Sequence, residues 1–212
     1  MKIKFLISSH ENYHKLTLSR LLNSLINNNI KKDDIFITIG GSSENLSYYL
    51  DGIQYKKTVY NSFDLSSIIE VVKNDLFLDY DFVFLLHDTC EAKENFKNLV
   101  FSFDYNGIES CRMFQNYPSS NIGLYERAFL ITNKKRIIEL ENKSKTDYVE
   151  FEDFIFTLSA KDKLTHYANI PEIIGYENTY SDNTIRQINF CSQLDLLKYK
   201  ANWEVRDWVL NP

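Results

Sequence analysis

Phe82-Val83-Phe84-Leu85-Leu86-His87-Asp88-Thr89 is the stretch from which the fold is read. Its first five residues are apolar without alternation, the pattern of a strand covered on both faces by helices. Polar residues follow at once, so this strand ends on His87, Asp88 and Thr89. Working backwards, Leu65, Ile68, Ile69 and Val72 recur at helical spacing, with Ser62 or Asp64 placed to cap the helix. Residues 57–60 read as a short strand before it. Earlier still, residues 35–39 make a strand rich in β-branched side chains, broken by Gly40-Gly41, with a short helix expected after Ser42-Ser43. The chain opens with a buried strand over residues 2–7 and a polar loop, Ser8-Ser9-His10-Glu11-Asn12. A helix built on Leu18, Leu21, Leu22 and Leu25 comes next, and Asn27-Asn28-Asn29 ends it.

Strand and helix therefore alternate through the first 90 residues, which predicts an α/β fold with an open, mostly parallel sheet flanked by helices. In such sheets ligands bind outside the carboxyl ends of the strands. Those ends carry Ser8-Ser9-His10, Gly40-Gly41-Ser42-Ser43, Asn61 and His87-Asp88-Thr89.

The second half is less regular. Residues 92–101 read as a helix, 104–121 as a loop-rich excursion and 122–132 as a strand. Residues 134–140 read as a short basic helix, 151–158 as a helix and 164–168 as a strand. A tail from residue 189 carries Leu194, Leu197, Trp203 and Trp208 and is expected to pack back on the body. No repeat or linker marks a cut, so residues 1–212 are expected to form a single domain. Within it, residues 1–100 would be the regular strand-and-helix half, 101–188 the less regular half, and 189–212 the tail.

Composition narrows the function classes. With 212 residues, 44% apolar, 15% aromatic and 25% charged, the chain has the make-up of a globular protein. A net charge of −5 without a basic block argues against a sequence-independent grip on nucleic acid. Cys90, Cys111 and Cys191 are odd in number and far apart, so neither a disulfide framework nor a zinc ribbon is expected. The apolar stretch Phe5-Leu6-Ile7 is too short for a signal peptide, and no run reaches the roughly 18 residues that span a bilayer. A soluble cytoplasmic protein is the expectation, with peripheral membrane contact through the tail left open.

An anionic ligand on this acidic chain needs local neutralisation. Asp88, directly after a buried strand, is placed to hold a hard cation such as Mg2+ or Mn2+, or alternatively to cap a following helix or bond loop amides. His87 beside it reads as a packing or hydrogen-bonding group. Arg127, Lys134 and Lys135 are the candidate basic helpers. Tyr117, Tyr125, Trp203 and Trp208 are candidates to stack on an apolar face of a ligand, or else to fill the core.

The order of these segments resembles the GT-A fold of nucleotide-sugar-dependent glycosyltransferases, the family-2-like group in particular. Leu6-Ile7-Ser8-Ser9-His10-Glu11-Asn12 is similar to that group's opening strand and nucleotide loop, and Ile37-Thr38-Ile39-Gly40-Gly41-Ser42-Ser43-Glu44 to its second strand and turn. Tyr60-Asn61-Ser62-Phe63-Asp64 stands where the family has an asparagine-rich segment. Phe84-Leu85-Leu86-His87-Asp88 matches the strand running into the family's DxD motif, with Asp88 on its metal-binding aspartate. Phe151-Glu152-Asp153-Phe154 is similar to the segment whose aspartate acts as general base. The first DxD aspartate is Leu86 here, the aspartate pair of the second turn is Ile39-Gly40, and the QxxRW motif of processive synthases is missing.

The resemblance implies a metal-dependent, inverting transfer of one sugar from a nucleotide-diphosphate donor to a hydroxyl of a glycan or glycoconjugate. Ser8, Ser9, His10, Gly41, Ser42, Asn61, His87 and Arg127 would bind the donor. Asp88 and His166 would hold the metal, and Asp153, with Glu152 next in line, would deprotonate the acceptor. A non-catalytic scaffold subunit of the same fold and a nucleotidyltransferase are the competing readings. The glycine-rich loop that a methyltransferase needs after its first strand is missing.

Overall fold

The computed structural model describes residues 1–105, 110–112, 122–143, 164–166, 174–177, 185–191 and 194–201. Strand β1 (Ile3–His10) lies at the centre of an eight-stranded sheet, between β2 (Ile35–Gly40) and β5 (Phe82–His87), and is parallel to both. Outside β2 come β4 (Ile53–Lys57), parallel to it, and then β3 (Leu46–Leu50), antiparallel at the edge. On the other side, β5 pairs antiparallel with β8 (Gly123–Glu126), followed by β7 (Ser110–Arg112) and β9 (Leu164–His166). Four strands make a second, antiparallel sheet in the order β10 (Ile174–Glu177), β11 (Ile185–Cys191), β12 (Leu196–Ala201), β6 (Cys90–Ala92). The expected α/β architecture with a mostly parallel sheet is what the first half builds.

Two cores follow from the pleat. Ile3, Phe5 and Ile7 point to one face with Ile35, Ile37, Phe84 and Leu86, where α1 (His14–Asn27) lays Leu18, Leu21 and Leu25 and α3 (Phe96–Ser102) lays Phe96 and Val100. Leu6, Phe36, Val83 and Leu85 point to the other, against Ile68, Ile69 and Val72 of α2 (Ser66–Lys73) and Phe129, Leu130 and Ile137 of α4 (Arg127–Glu139). Full burial of each such side chain stabilises by about 1.5–3 kcal/mol, so helices on both faces hold the central strands in register. Among the described residues no helix is long and apolar enough to cross a membrane.

Several expectations are corrected. The first strand does not end at Ile7 but runs to His10, because β2 continues beside it to Gly40 and keeps the backbone paired. No helix follows Ser43. Leu46–Leu50 is a strand, joined to β4 by Asp51 and Gly52 with φ of 50° and 82°, a two-residue hairpin turn that the Asp-Gly pair signals. This places β4 at residues 53–57, ahead of the expected 57–60. Neither Ser62 nor Asp64 caps α2, whose N-cap position is Leu65 with no side-chain bond. Ala92 belongs to β6 rather than to a helix, and the stretch expected as a strand over 122–132 turns helical at Arg127.

Of the tail, residues 194–201 lie against the body: β12 pairs with β6, and Leu194 and Leu196 join the core that α1 covers, while Leu197 is half-buried. Trp203, Trp208 and the expected helix over 151–158 lie outside the described residues.

Candidate functional site

The strand order creates a crevice at one place. From β1 the chain moves outward to β2 and β4, then returns to the opposite side of β1 to lay down β5. The connections at the carboxyl ends of β1 and β5 thus diverge, and an open α/β sheet offers its binding crevice at such a point. Ser8, Ser9 and His10 end β1 there, and His87 and Asp88 end β5, with Ser8 and His87 in register.

Because side chains alternate across a strand, Ser8 and Ser9 serve opposite faces. Ser8 turns toward α2. Its hydroxyl donates to the Asp64 carbonyl at 2.8 Å and accepts the Ser67 N–H at 3.0 Å. With its one proton used on Asp64, it accepts from the Ser67 hydroxyl at 2.7 Å. Ser9 turns toward α1, where it and Thr17 both donate to Asp88 Oδ2 at 2.6 Å. Asp88 is 4% exposed, so these charge-assisted bonds replace the water it has lost.

His87 ties the two faces together. Nε2 lies 2.6 Å from Asp64 Oδ1, and Nδ1 lies 2.9 Å from Asp88 Oδ1 and 2.8 Å from the Thr89 hydroxyl. A ring whose two nitrogens both face carboxylates is held as the imidazolium. Burial alone would push the imidazole down, but Asp64 and Asp88 together outweigh it and raise its pKa to about 9. Asp88 responds in the opposite sense: burial would raise its carboxyl, yet His87, Ser9 and Thr17 hold it below the usual carboxylate range. The result is a chain, Asp64–His87–Asp88, buried at Asp88 and half-buried at the other two, with a net charge of −1 and its hydroxyl donors in place.

The second wall of the crevice is the turn after β2. Gly41 adopts φ +72°, and a Cβ there would lie 2.7 Å from His10 Nε2, so only glycine allows the backbone to pass the imidazole. Gly41 and Ser42 donate their N–H groups to the Tyr60 and Thr58 carbonyls at 3.1 and 2.9 Å, and Ser42 is buried. The Asn61 Oδ1 lies 3.1 Å from where a Cβ on Gly40 would sit, which brings Asn61 to the same turn. His10 is half-buried, its Nδ1 accepts the Asn12 N–H at 3.1 Å, and burial lowers its pKa against the pull of Asp88. Glu11, paired with Lys57 at 3.1 Å, closes the rim.

Of the residues expected at the site, Ser8, Ser9, His10, Gly41, Ser42, Asn61, His87 and Asp88 converge on this crevice. Arg127 does not. It follows Glu126, which pairs with Phe82 at the amino end of β5, and it donates to the Leu78 carbonyl at 3.0 Å. Lys134 pairs with Asp75 at 2.7 Å. Tyr125 is fully buried beside Phe129 and cannot stack on a ligand. His166 ends β9, where its backbone pairs with Arg112, whereas Glu152, Asp153 and Tyr117 lie outside the described residues.

Thr17, Asp64 and Ser67 are the members that sequence reasoning missed. Thr17 carried a signal, since it shares the helical stripe of Leu18, Leu21 and Leu25, and a buried hydroxyl on such a stripe needs a partner.

The donor set does not fit a resident divalent cation as it stands. Both Asp88 oxygens already accept hydrogen bonds, and the neighbouring Asp64 is bridged to it by a cationic ring rather than left to share an ion. Among the described residues no group of three or more His, Cys, Asp or Glu side chains is arranged to hold a metal.

No protein-family model matches the sequence, and no curated protein is significantly similar to it. Among solved structures, the chain is similar to a glycosyltransferase involved in the glycosylation of the major capsid of PBCV-1. That likeness has a TM-score of 0.44 and 12% identity over 72% of this chain and 76% of the other. It is also similar to a structure from Bacillus anthracis described as a glucose-1-phosphate thymidylyltransferase in complex with a sucrose. There the TM-score is 0.40, with 12% identity over 77% of this chain and 85% of the other. At those scores neither likeness assigns a function.

Proposed function

We propose that this protein is a nucleotide-sugar-dependent glycosyltransferase that moves a single sugar to a hydroxyl acceptor. One observation carries the reading: polar and glycine residues of β1, β2 and β5 converge at the point where the strand order reverses. Four of the five segments that resemble the GT-A family border that same crevice, and the fifth, residues 151–154, lies outside the described residues. The tight Gly40-Gly41 turn and the hydroxyl and imidazole groups at the ends of β1 and β5 support a nucleoside diphosphate as the ligand. Asp153, with Glu152 as second choice, is the proposed base that takes the acceptor proton as the hydroxyl attacks the anomeric carbon. A non-catalytic subunit of the same fold remains the second reading, favoured by the engagement of Asp88 with Ser9, Thr17 and His87.

The test is a thermal-shift panel of UDP, GDP, CDP, dTDP, ADP and S-adenosylmethionine, each with and without manganese. A ligand at about 100 times its Kd stabilises the native state by roughly 2.7 kcal/mol, an easily seen shift. Stabilisation by one nucleoside diphosphate supports the transferase and names its donor class. A manganese-dependent rise would mean that His87 yields its place on Asp88 to the ion. A flat panel favours the non-catalytic reading, and a rise with S-adenosylmethionine alone defeats the proposal.

A further inference from the structure

We infer that two copies of this chain associate edge to edge through β3, about a two-fold axis at Tyr48, so that the eight-stranded sheet continues from one copy into the other. Strand β3 ends the sheet, and its outer edge has no partner strand among the described residues. Edge strands are ordinarily blunted by a charge, a proline or a bulge. Leu46-Ser47-Tyr48-Tyr49-Leu50 has none of these and pairs with β4 without a register shift. Leu46 is 42% exposed, Tyr49 72% and Leu50 53%.

The hairpin geometry sets which backbone groups are on offer. In a two-residue hairpin the pair flanking the turn, here Leu50 and Ile53, exchanges both of its hydrogen bonds. Leu46, Tyr48 and Leu50 therefore direct their N–H and C=O toward β4, while Ser47 and Tyr49 direct theirs outward. Antiparallel pairing symmetric about Tyr48 sets Ser47 opposite Tyr49 of the second copy, twice. Every outward group of these residues then meets a complement, for four new N–H···O=C bonds.

The side chains agree with that register. Leu46 falls opposite Leu50 of the second copy and Tyr48 opposite Tyr48, all on the face that continues from Ile53 and Tyr55 of the core. Tyr48 is already stacked on Tyr55, with ring centroids 5.1 Å apart and planes at 11°. The apolar face thus extends past its helical cover, and the second copy would flank it with the same side chains.

Charge supports the same pairing. Glu44, exposed just before β3, comes toward Gly52 of the second copy, and the Lys32 side chain lies 3.7 Å from where a Cβ on Gly52 would sit. Each copy therefore brings the Glu44 carboxylate beside the methylene stem of the other's Lys32, from which the ammonium can reach it. Moving the axis by one residue either way sets Glu44 against Leu50 or leaves Leu46 against Gly52, and both the charge and the apolar matches are lost.

Sedimentation velocity and light scattering across a dilution series test the proposal. The expected result is a dimer that dissociates on dilution, because two five-residue strands make an interface below the standard size. Ser47→Pro removes an outward N–H without touching a bond inside the hairpin, and Tyr49→Lys places a charge on the edge. Each should give a monomer with a native circular dichroism spectrum. Register is read by oxidation. Tyr48→Cys should link to itself, since directly opposed Cβ atoms lie about 4.5–5.5 Å apart. Leu46→Cys should link to Leu50→Cys in a mixed sample but not to itself, with the unsubstituted protein as control. A monomer at every concentration, or a dimer untouched by Ser47→Pro and Tyr49→Lys, overturns the proposal. A monomer whose Ser47 and Tyr49 amides resist hydrogen exchange overturns it as well, because another segment of the chain would then cover the edge.

Discussion

The two ends of the central sheet use similar polar residues to opposite effect. At the amino ends of β1 and β5, Lys2 N–H donates to Asp81 at 2.7 Å, Lys134 pairs with Asp75, and Arg127 reaches the Leu78 carbonyl, all exposed. A cavity of about 220 Å³ opens at this end between Phe5, Ile30, Phe101, Lys31 and Lys97. At the carboxyl ends, Ser8, Ser9, Thr17, Ser67 and Asp88 are buried and bonded to one another through His87 and Asp64. The exposed pairs at the first end stay hydrated and gain little from pairing, whereas Asp88 at the second has given up water and depends on its partners. Burial, not residue type, separates a surface clamp from a site.

The sharpest way to break this contrast is Asp88→Ala. It strips His87 of one carboxylate and leaves the Ser9 and Thr17 hydroxyls without an acceptor, so urea unfolding should register a loss of about 3–5 kcal/mol. His87→Gln comes next, and its signature is pH dependence. The folded pKa of His87 is raised to about 9 from an ordinary 6.5, so its stabilisation is complete below pH 6.5 and disappears as pH rises through 9. Urea midpoints at pH 6, 7.5 and 9.5 should fall more steeply in the native protein than in the variant, and parallel slopes would show that the ring is not held as a cation.

Gly41→Ala combines a positive φ with a contact of 2.7 Å to His10, and should cost about 1–3 kcal/mol. Gly52→Ala has a positive φ, but its nearest neighbour is the flexible end of Lys32 at 3.7 Å, so differential scanning calorimetry should rank it milder. Smallest of all, Lys134→Ala should change the unfolding free energy by less than about 1 kcal/mol. If it matched Asp88→Ala, the distinction between the two ends would fail.

Much of this was legible in the order of residues. The unbroken apolar run of β5, the leucine stripe of α1 and the β-branched β2 each announce a buried element through local periodicity, which survives without knowledge of neighbours. The polar residues after those strands were legible as a site for the same reason. The misses share a cause. Ser8 and Ser9 read as a loop because hydroxyls are common in turns, yet β2 extends the pairing and α1 and α2 supply their partners. Asp64 read as a helix cap, the use its position in sequence suggests, but His87 lies 2.6 Å away across 23 residues of chain. Arg127 read as an ally of the site until the antiparallel pairing of β8 set it at the far end of β5.

Amino-acid order by itself determined the central elements β1, β2, β5, α1 and α2, and that the carboxyl edge of a mostly parallel sheet gathers glycine, hydroxyl and acidic groups. Tertiary structure alone decided that β5 returns to the far side of β1 and opens the crevice there. It alone also decided that Thr17, Ser9 and His87 meet on one buried carboxylate, and that β3 presents an uncharged edge. Periodicity is a property of neighbours in the chain, whereas a hydrogen bond between Thr17 and Asp88 exists only once α1 has packed on the sheet and water has left.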